Sequence, residues 1–101
     1  MPDAVIKPTI KAKPKVERPK LYKVILVNDD FTPREFVVRV LKAEFRMSED
    51  QAAKVMMTAH QRGVCVVAEF TRGVAETKAT RATDAGRAKG YPLLFTTEPE
   101  E

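Results

Sequence analysis

The apolar positions of this chain alternate with polar ones in a pattern that marks out successive strands and helices. From Tyr22 to Val27 the pattern closes into four consecutive aliphatic residues, Val24, Ile25, Leu26 and Val27. Such a run predicts a strand covered on much of both faces and central in its sheet. It stops abruptly at Asn28, Asp29 and Asp30, followed by Phe31. Thr32-Pro33-Arg34-Glu35 then has the order of a capping box, with Thr32 as N-cap, Pro33 at the first helical position and Glu35 three residues after the cap. Phe36, Val37, Val40, Leu41, Glu44 and Phe45 recur at three- and four-residue spacing, so a helix with one core-facing stripe is expected to reach residue 45.

A second capping box follows, Ser48 with Gln51, and Glu49 and Asp50 favour the positive end of the helix it opens. That helix is expected to end at Arg62, with Gly63 as the residue that closes it. Its stripe is Ala52, Val55, Met56 and Ala59, and His60 falls on the same side. The short connection between the two helices predicts a helical hairpin. Val64–Thr71 is β-branched and predicts a second strand, after which Thr71 can cap a third helix running from Arg72 to Lys89 and closed by Gly90. Ala75, Ala79, Ala82 and Ala85 give that helix a seam of small side chains. Leu93, Leu94 and Phe95 predict a last short strand, and the acidic end, residues 99–101, is expected to fray. The order β-α-α-β-α-β predicts an α/β domain, an α+β sandwich in which three helices cover a three-stranded, mainly antiparallel sheet.

Composition changes this picture at the N-terminus. Residues 1–20 hold four of the seven prolines and six basic side chains against Asp3 and Glu17, which accounts for the whole formal charge of +4. Proline at this density blocks helix and ladder alike, so residues 1–20 are expected to form a flexible, basic, partly polyproline-II extension ahead of a domain at 21–98. It is either a passive solubilising segment or one that another machine grips. A small nucleic-acid or anionic-surface binder acting through this extension is the alternative function it suggests. Residues 21–101 carry twelve basic and twelve acidic side chains, so the domain itself has no excess with which to track phosphates. Cys65 is the sole cysteine, which excludes an intramolecular disulfide, and its apolar neighbours suggest a buried, inert thiol. No run approaches the roughly 18 apolar residues of a membrane span, and no secretory leader pattern is present. A soluble, cytoplasmic monomer is expected, with no apolar stripe left over once the core is assembled.

The candidate chemistry gathers at the end of the first strand. Asn28 and Asp29 are acceptors on a rigid element, and His60, in the last turn of the second helix, can reach them if that helix packs over the strand. A neutral imidazole nitrogen, an amide oxygen and a carboxylate together suit the three donors of a primary ammonium group. His60 can equally be a boundary residue with one satisfied nitrogen. Met56 and Met57 beside Ala59 are either core filler or the wall of an apolar hole with one wet rim. Cys65 in mid-strand and the lack of a Gly-x-Ser-x-Gly elbow give no support to a nucleophilic enzyme. One histidine with unspaced carboxylates is a thin metal set, and the scattered glycines form no phosphate loop, so neither a metal nor a cofactor is expected.

Several separated motifs agree in order with one known family. YKVILVNDDFTPREFV, the MMTAH that ends the second helix, VAETK at residues 74–78 and YPLLF together resemble ClpS, the adaptor that delivers N-degron substrates to the Clp protease. The resemblance covers residues 20–97 and implies a fold of three strands and three helices and a binding protein that is not an enzyme. It implies that Asn28, Asp29 and His60 hold a substrate's α-amino group, Asp29 also taking the first peptide amide. Thr32, Val37, Met56, Ala59 and Leu93 would line the pocket for a bulky first side chain, Phe, Tyr, Trp or Leu, with Leu26, Val27, Asp30 and Arg34 nearby. Arg34 stands where the family usually carries Met. Gly73 and Lys78 fall in the stretch that resembles the docking surface for the N-terminal domain of a ClpA-type unfoldase. Peptides and that unfoldase would be the partners, with no nucleic acid and no membrane.

Overall fold

The computed structural model describes residues 18–101, and the greater part of the expected N-terminal extension, residues 1–17, lies outside the described residues. The elements follow as β1 (Leu21–Val27), α1 (Arg34–Phe45), α2 (Glu49–Arg62), β2 (Val64–Thr71), α3 (Arg72–Arg87) and β3 (Leu94–Pro99). The sheet has the order β2-β1-β3 with both pairs antiparallel, so β1 is central, as its apolar run implies. Ile25 pairs with Val66 while Val24 pairs with Ala68, which leaves Val67 as the extra residue of a β-bulge.

Alternation along β1 points Val24 and Leu26 towards the helices, where they join Phe36, Val37, Val40 and Leu41 of α1, Ala52 and Ala59 of α2, and Ala75, Ala79 and Ala82 of α3 in one core. Phe45 closes it, its ring stacked on Phe95 at 5.6 Å. The other face is covered at β1, as its apolar run implies, but not on the strands beside it. Ile25 is buried there, yet Val64, Val66 and Leu94 remain 50%, 46% and 42% exposed. All three helices lie on one side of the sheet, so among the described residues an apolar strip along β2 and β3 does remain after the core is assembled.

The helix ends show which caps act. Ser48 is the N-cap of α2 and its Oγ accepts from Gln51 N–H at 3.1 Å. Gly63 closes that helix with φ +92°, and its N–H donates to the Ala59 carbonyl at 2.7 Å. Thr32, by contrast, is not a cap. Pro33 holds the N-cap position of α1 without a side-chain bond, because the Thr32 hydroxyl is used elsewhere. Thr71 stands at the N-cap of α3 but makes no side-chain bond either. Glu44 leaves the apolar stripe, its carboxylate accepting from Arg81 Nε at 3.0 Å.

The C-terminal segment differs from expectation in two respects. Leu93 precedes β3 instead of belonging to it, and the acidic end does not fray at residue 99. Pro99 pairs with Tyr22, and Glu100 N–H donates to the Leu21 carbonyl at 2.9 Å, which extends the ladder along the whole of β1. After α3 the chain turns through Gly90 at φ +82°, with Tyr91 N–H donating to Gly86 O at 2.9 Å. This turn presses Leu93 against the helix it has just left. A Cβ built on Gly86 would lie 2.6 Å from Leu93 Cβ, so only glycine admits the approach.

Gly86→Ala is therefore expected to destabilise the fold by about 1–3 kcal/mol, because the clash with a backbone-proximal atom outweighs the helix-propensity gain of at most ~1 kcal/mol. At Gly73, where an added Cβ meets nothing within 4 Å, the same substitution is expected to stabilise by up to ~1 kcal/mol. Urea unfolding midpoints at constant m would register the opposite signs.

Candidate functional site

A cavity of about 290 Å³ opens where β1 ends. Leu26 and Val27 supply its floor from the strand, and the loop that follows supplies Asn28, Asp29, Asp30 and Thr32. Arg34 and Val37 come from the first two turns of α1, Met56, Ala59 and His60 from α2, and Leu93 from the turn after α3. All twelve residues expected at a binding pocket thus line one cavity. A backbone bond explains why such distant parts of the chain converge. Asn28 N–H donates to Gly63 O at 2.9 Å, which pins the last turn of α2, with Ala59 and His60, to the end of the central strand.

The polar side of the cavity is built by Asp29. Its Oδ1 accepts from Phe31 N–H at 2.8 Å and Thr32 N–H at 2.7 Å, and its Oδ2 accepts from the Thr32 hydroxyl at 2.9 Å. A carboxylate has about four lone-pair sites, so most of its capacity goes to folding the loop. Asp29 is accordingly a scaffold first and an acceptor for a ligand second. This also accounts for Thr32, whose hydroxyl is spent on Asp29 and is lost to the helix cap.

Opposite this loop the rim is formed by Arg34. Its Nη2 lies 3.2 Å from His60 Nε2 and its Nη1 is 3.9 Å from Met57 Sδ, so the guanidinium bridges α1 and α2 across the opening. Val37, Ala59 and Leu93 are buried and make the depth of the cavity apolar, with half-buried Met56 beside them. An apolar hole with acceptors on one rim can take a ligand carrying a cation next to a bulky apolar group. The volume is at the lower edge of the roughly 300–1,000 Å³ of small-molecule sites, which suits one side chain better than an extended ligand.

Matching against protein families supplies the decisive observation: residues 17–96 fit the model of the ATP-dependent Clp protease adaptor protein ClpS. The chain belongs to the ClpS family. Family members are adaptors of an ATP-dependent protease and not enzymes. A ClpS 2 adapter of Mesorhizobium japonicum is 77% identical over 101 residues, covering 100% of both chains. A ClpS 1 adapter of Rhodopseudomonas palustris is 87% identical over 91 residues, covering 90% of this chain and 88% of that protein. Among solved structures, Agrobacterium tumefaciens ClpS2 bound to L-phenylalaninamide is 66% identical, with a TM-score of 0.81 over 82% of this chain and 100% of that one.

Two features of this ClpS chain escaped sequence reasoning. Phe31, 79% exposed, and Pro33 also line the cavity. A lone aromatic between Asp30 and Thr32 was the available signal, since nothing in a polar loop would bury it. Gly73 and Lys78 do not join the cavity. They line a separate groove with Glu44, Arg46 and Arg81, where Lys78 Nζ donates to the Glu44 carbonyl at 2.8 Å. That bond satisfies an orphan carbonyl at the end of α1, next to Arg46 in the left-handed region at φ +57°. Cys65 is half-buried instead of sequestered, and burial pushes its thiol up from the ordinary value against the opposing pull of Arg62. A raised thiol is the reverse of what a nucleophile needs. Among the described residues no three His, Cys, Asp or Glu side chains gather as a metal site, and no helix is long and apolar enough to cross a membrane.

If Asp29 holds the loop, Asp29→Ala should cost about 1–3 kcal/mol by orphaning two backbone donors. Asp29→Asn, whose amide still accepts from both N–H groups and can donate to Thr32, should stay within about 1 kcal/mol of the parent. Equilibrium urea unfolding of the two variants beside the parent measures both differences.

Proposed function

We propose that this cavity binds the first residue of a peptide or protein that begins with a free α-amino group and a bulky side chain, Phe, Tyr, Trp or Leu, an N-degron. In this reading Asn28, Asp29 and His60 take the ammonium, while Val37, Met56, Ala59 and Leu93 enclose the side chain. The observation that carries it is the junction of an acceptor rim and an apolar depth in one cavity of single-side-chain size. Further support comes from the 66%-identical relative whose ligand, phenylalaninamide, is a free amine beside a benzyl group.

An internal residue of a chain offers one amide N–H at this position, whereas a free N-terminus offers three N–H donors and a charge. The α-amino group has a pKa of about 7.7–8.0 and is mostly protonated at neutral pH. Selectivity for chain ends then follows from leaving rim acceptors unpaired whenever the ligand is not an amine. The adaptor carries its cargo to a Clp AAA+ unfoldase, docking on the N-terminal domain of a ClpA-type partner through the groove that includes Gly73 and Lys78. Lys78 serves that surface indirectly, since its ammonium is tied to Glu44 O and thereby fixes the end of α1. The N-terminal extension acts in handover, and the protein works as a cytoplasmic monomer.

A Phe-initiated peptide is expected to bind, and its N-acetylated twin to bind at least ~30-fold more weakly, the equivalent of about 2 kcal/mol for rim acceptors that the ligand covers and leaves unpaired. Fluorescence anisotropy with the two labelled peptides decides it, and equal affinities would defeat the proposal. Deleting residues 1–20 should leave that affinity unchanged and slow degradation by the unfoldase–protease. A basic-tail binder of nucleic acid would instead lose its ligand on this deletion and show a steep dependence on salt.

A further inference from the structure

In the free protein one acceptor of the proposed amine site is already in use. Arg34 Nη2 lies 3.2 Å from His60 Nε2, and a guanidinium has donors only and stays charged at any ordinary pH. A guanidinium can only donate, so the contact is a hydrogen bond in the tautomer that carries its proton on Nδ1 and its lone pair on Nε2. A neutral imidazole has one lone pair, and a peptide ammonium, also donor-only, needs it. If the ammonium approaches Nε2 it meets Arg34 in the same place. If it approaches Nδ1, the proton must move to Nε2, where an N–H would then face the N–H of the guanidinium. Both routes break the Arg34–His60 bond.

We propose that Arg34 is a built-in competitor for the amine site, a cation of the chain itself that occupies His60 until a peptide ammonium displaces it. This rests on the amine-binding reading above and adds a threshold to it. The displaced head has somewhere to go: Arg34 is exposed, its stem lines the cavity mouth, and its contact with Met57 Sδ is long and weak at 3.9 Å. A long basic side chain can keep its stem on apolar surface while its head turns to water. The consequence is selective. A ligand whose side chain fills the apolar depth gains enough to displace Arg34, whereas an amine with a small or polar side chain does not. Affinity is thus given up for all ligands alike, and only well-filled pockets stay above the working range.

The test uses the full chain and a labelled Phe-initiated peptide. Arg34→Met keeps an unbranched apolar stem and removes the donors and the charge. It is expected to bind about three- to tenfold more tightly than the parent, the scale of an exposed charged hydrogen bond. In a His60→Ala background the same substitution should bring no such gain. Equal or weaker binding by Arg34→Met, or a gain that persists undiminished without His60, overturns the competition. Because His60 is the sole histidine, long-range ¹H–¹⁵N spectra read its tautomer without assignment. The free parent should show Nε2 as the lone-pair nitrogen and Nδ1 as N–H, and Arg34→Met should relax that preference. A free parent with the proton on Nε2 overturns the proposal whatever the affinities. Failure of the parent to distinguish free from acetylated peptide would strike the amine reading itself, and the tautomer spectrum would still judge the Arg34 contact by its own result.

Discussion

One backbone hydrogen bond, Asn28 N–H to Gly63 O, holds the site together. It joins the residue just after β1 to the residue that ends α2, two points 35 positions apart in the sequence. Each end is rigid for its own reason. β1 is paired on both edges, and α2 is stopped by a glycine in the left-handed region, where its N–H can close on Ala59 O. The bond therefore transmits stiffness from sheet and helix to the few side chains beside it. His60 and Ala59 belong to the closed turn, so neither can drift from the acceptors at the strand end without opening the corner.

Asp29 and Arg34 show how the same residues serve structure and binding. The Asp29 carboxylate collects three donors from Phe31 and Thr32, which shapes the loop and leaves it little to give to a ligand. This ordering is energetically sensible, because a loop that formed only around its ligand would lose binding energy to its own immobilisation. Arg34 works in the opposite sense. Its guanidinium lies against His60 Nε2, so in the proposed competition it draws on the acceptor capacity of that ring.

The one-sided architecture explains both the depth of the cavity and the surface left bare. Ala75, Ala79, Ala82 and Gly86 let α3 lie close to the sheet, and that closeness carries Leu93 inward to become a wall. Larger residues on this seam would lift the helix and widen the hole. All three helices are spent on the Val24 and Leu26 face, and the opposite face keeps Val64, Val66 and Leu94 in partial contact with solvent.

Local pattern was enough for the element order, the central position of β1, the Ser48 and Gly63 ends of α2 and the candidate residues at the strand end. Each depends on spacing within about one or two turns, or on residue types with a single strong preference. The family motifs added the remaining pocket residues, since no periodicity would connect Leu93 with Val37. Only the tertiary structure decided the rest. Thr32 looked like a cap and became a partner of Asp29, because a carboxylate three residues back competes better for its hydroxyl than free helix N–H groups do. The acidic end looked frayed and became part of β3, because β1 is long enough to pair with it. No apolar strip was expected beyond the core, yet β2 and β3 keep Val64, Val66 and Leu94 partly exposed, because all three helices pack on one face and only the central strand is buried on both. Arg34 and His60 lie 26 positions apart on different helices, and their hydrogen bond exists only because the hairpin brings them to the same rim.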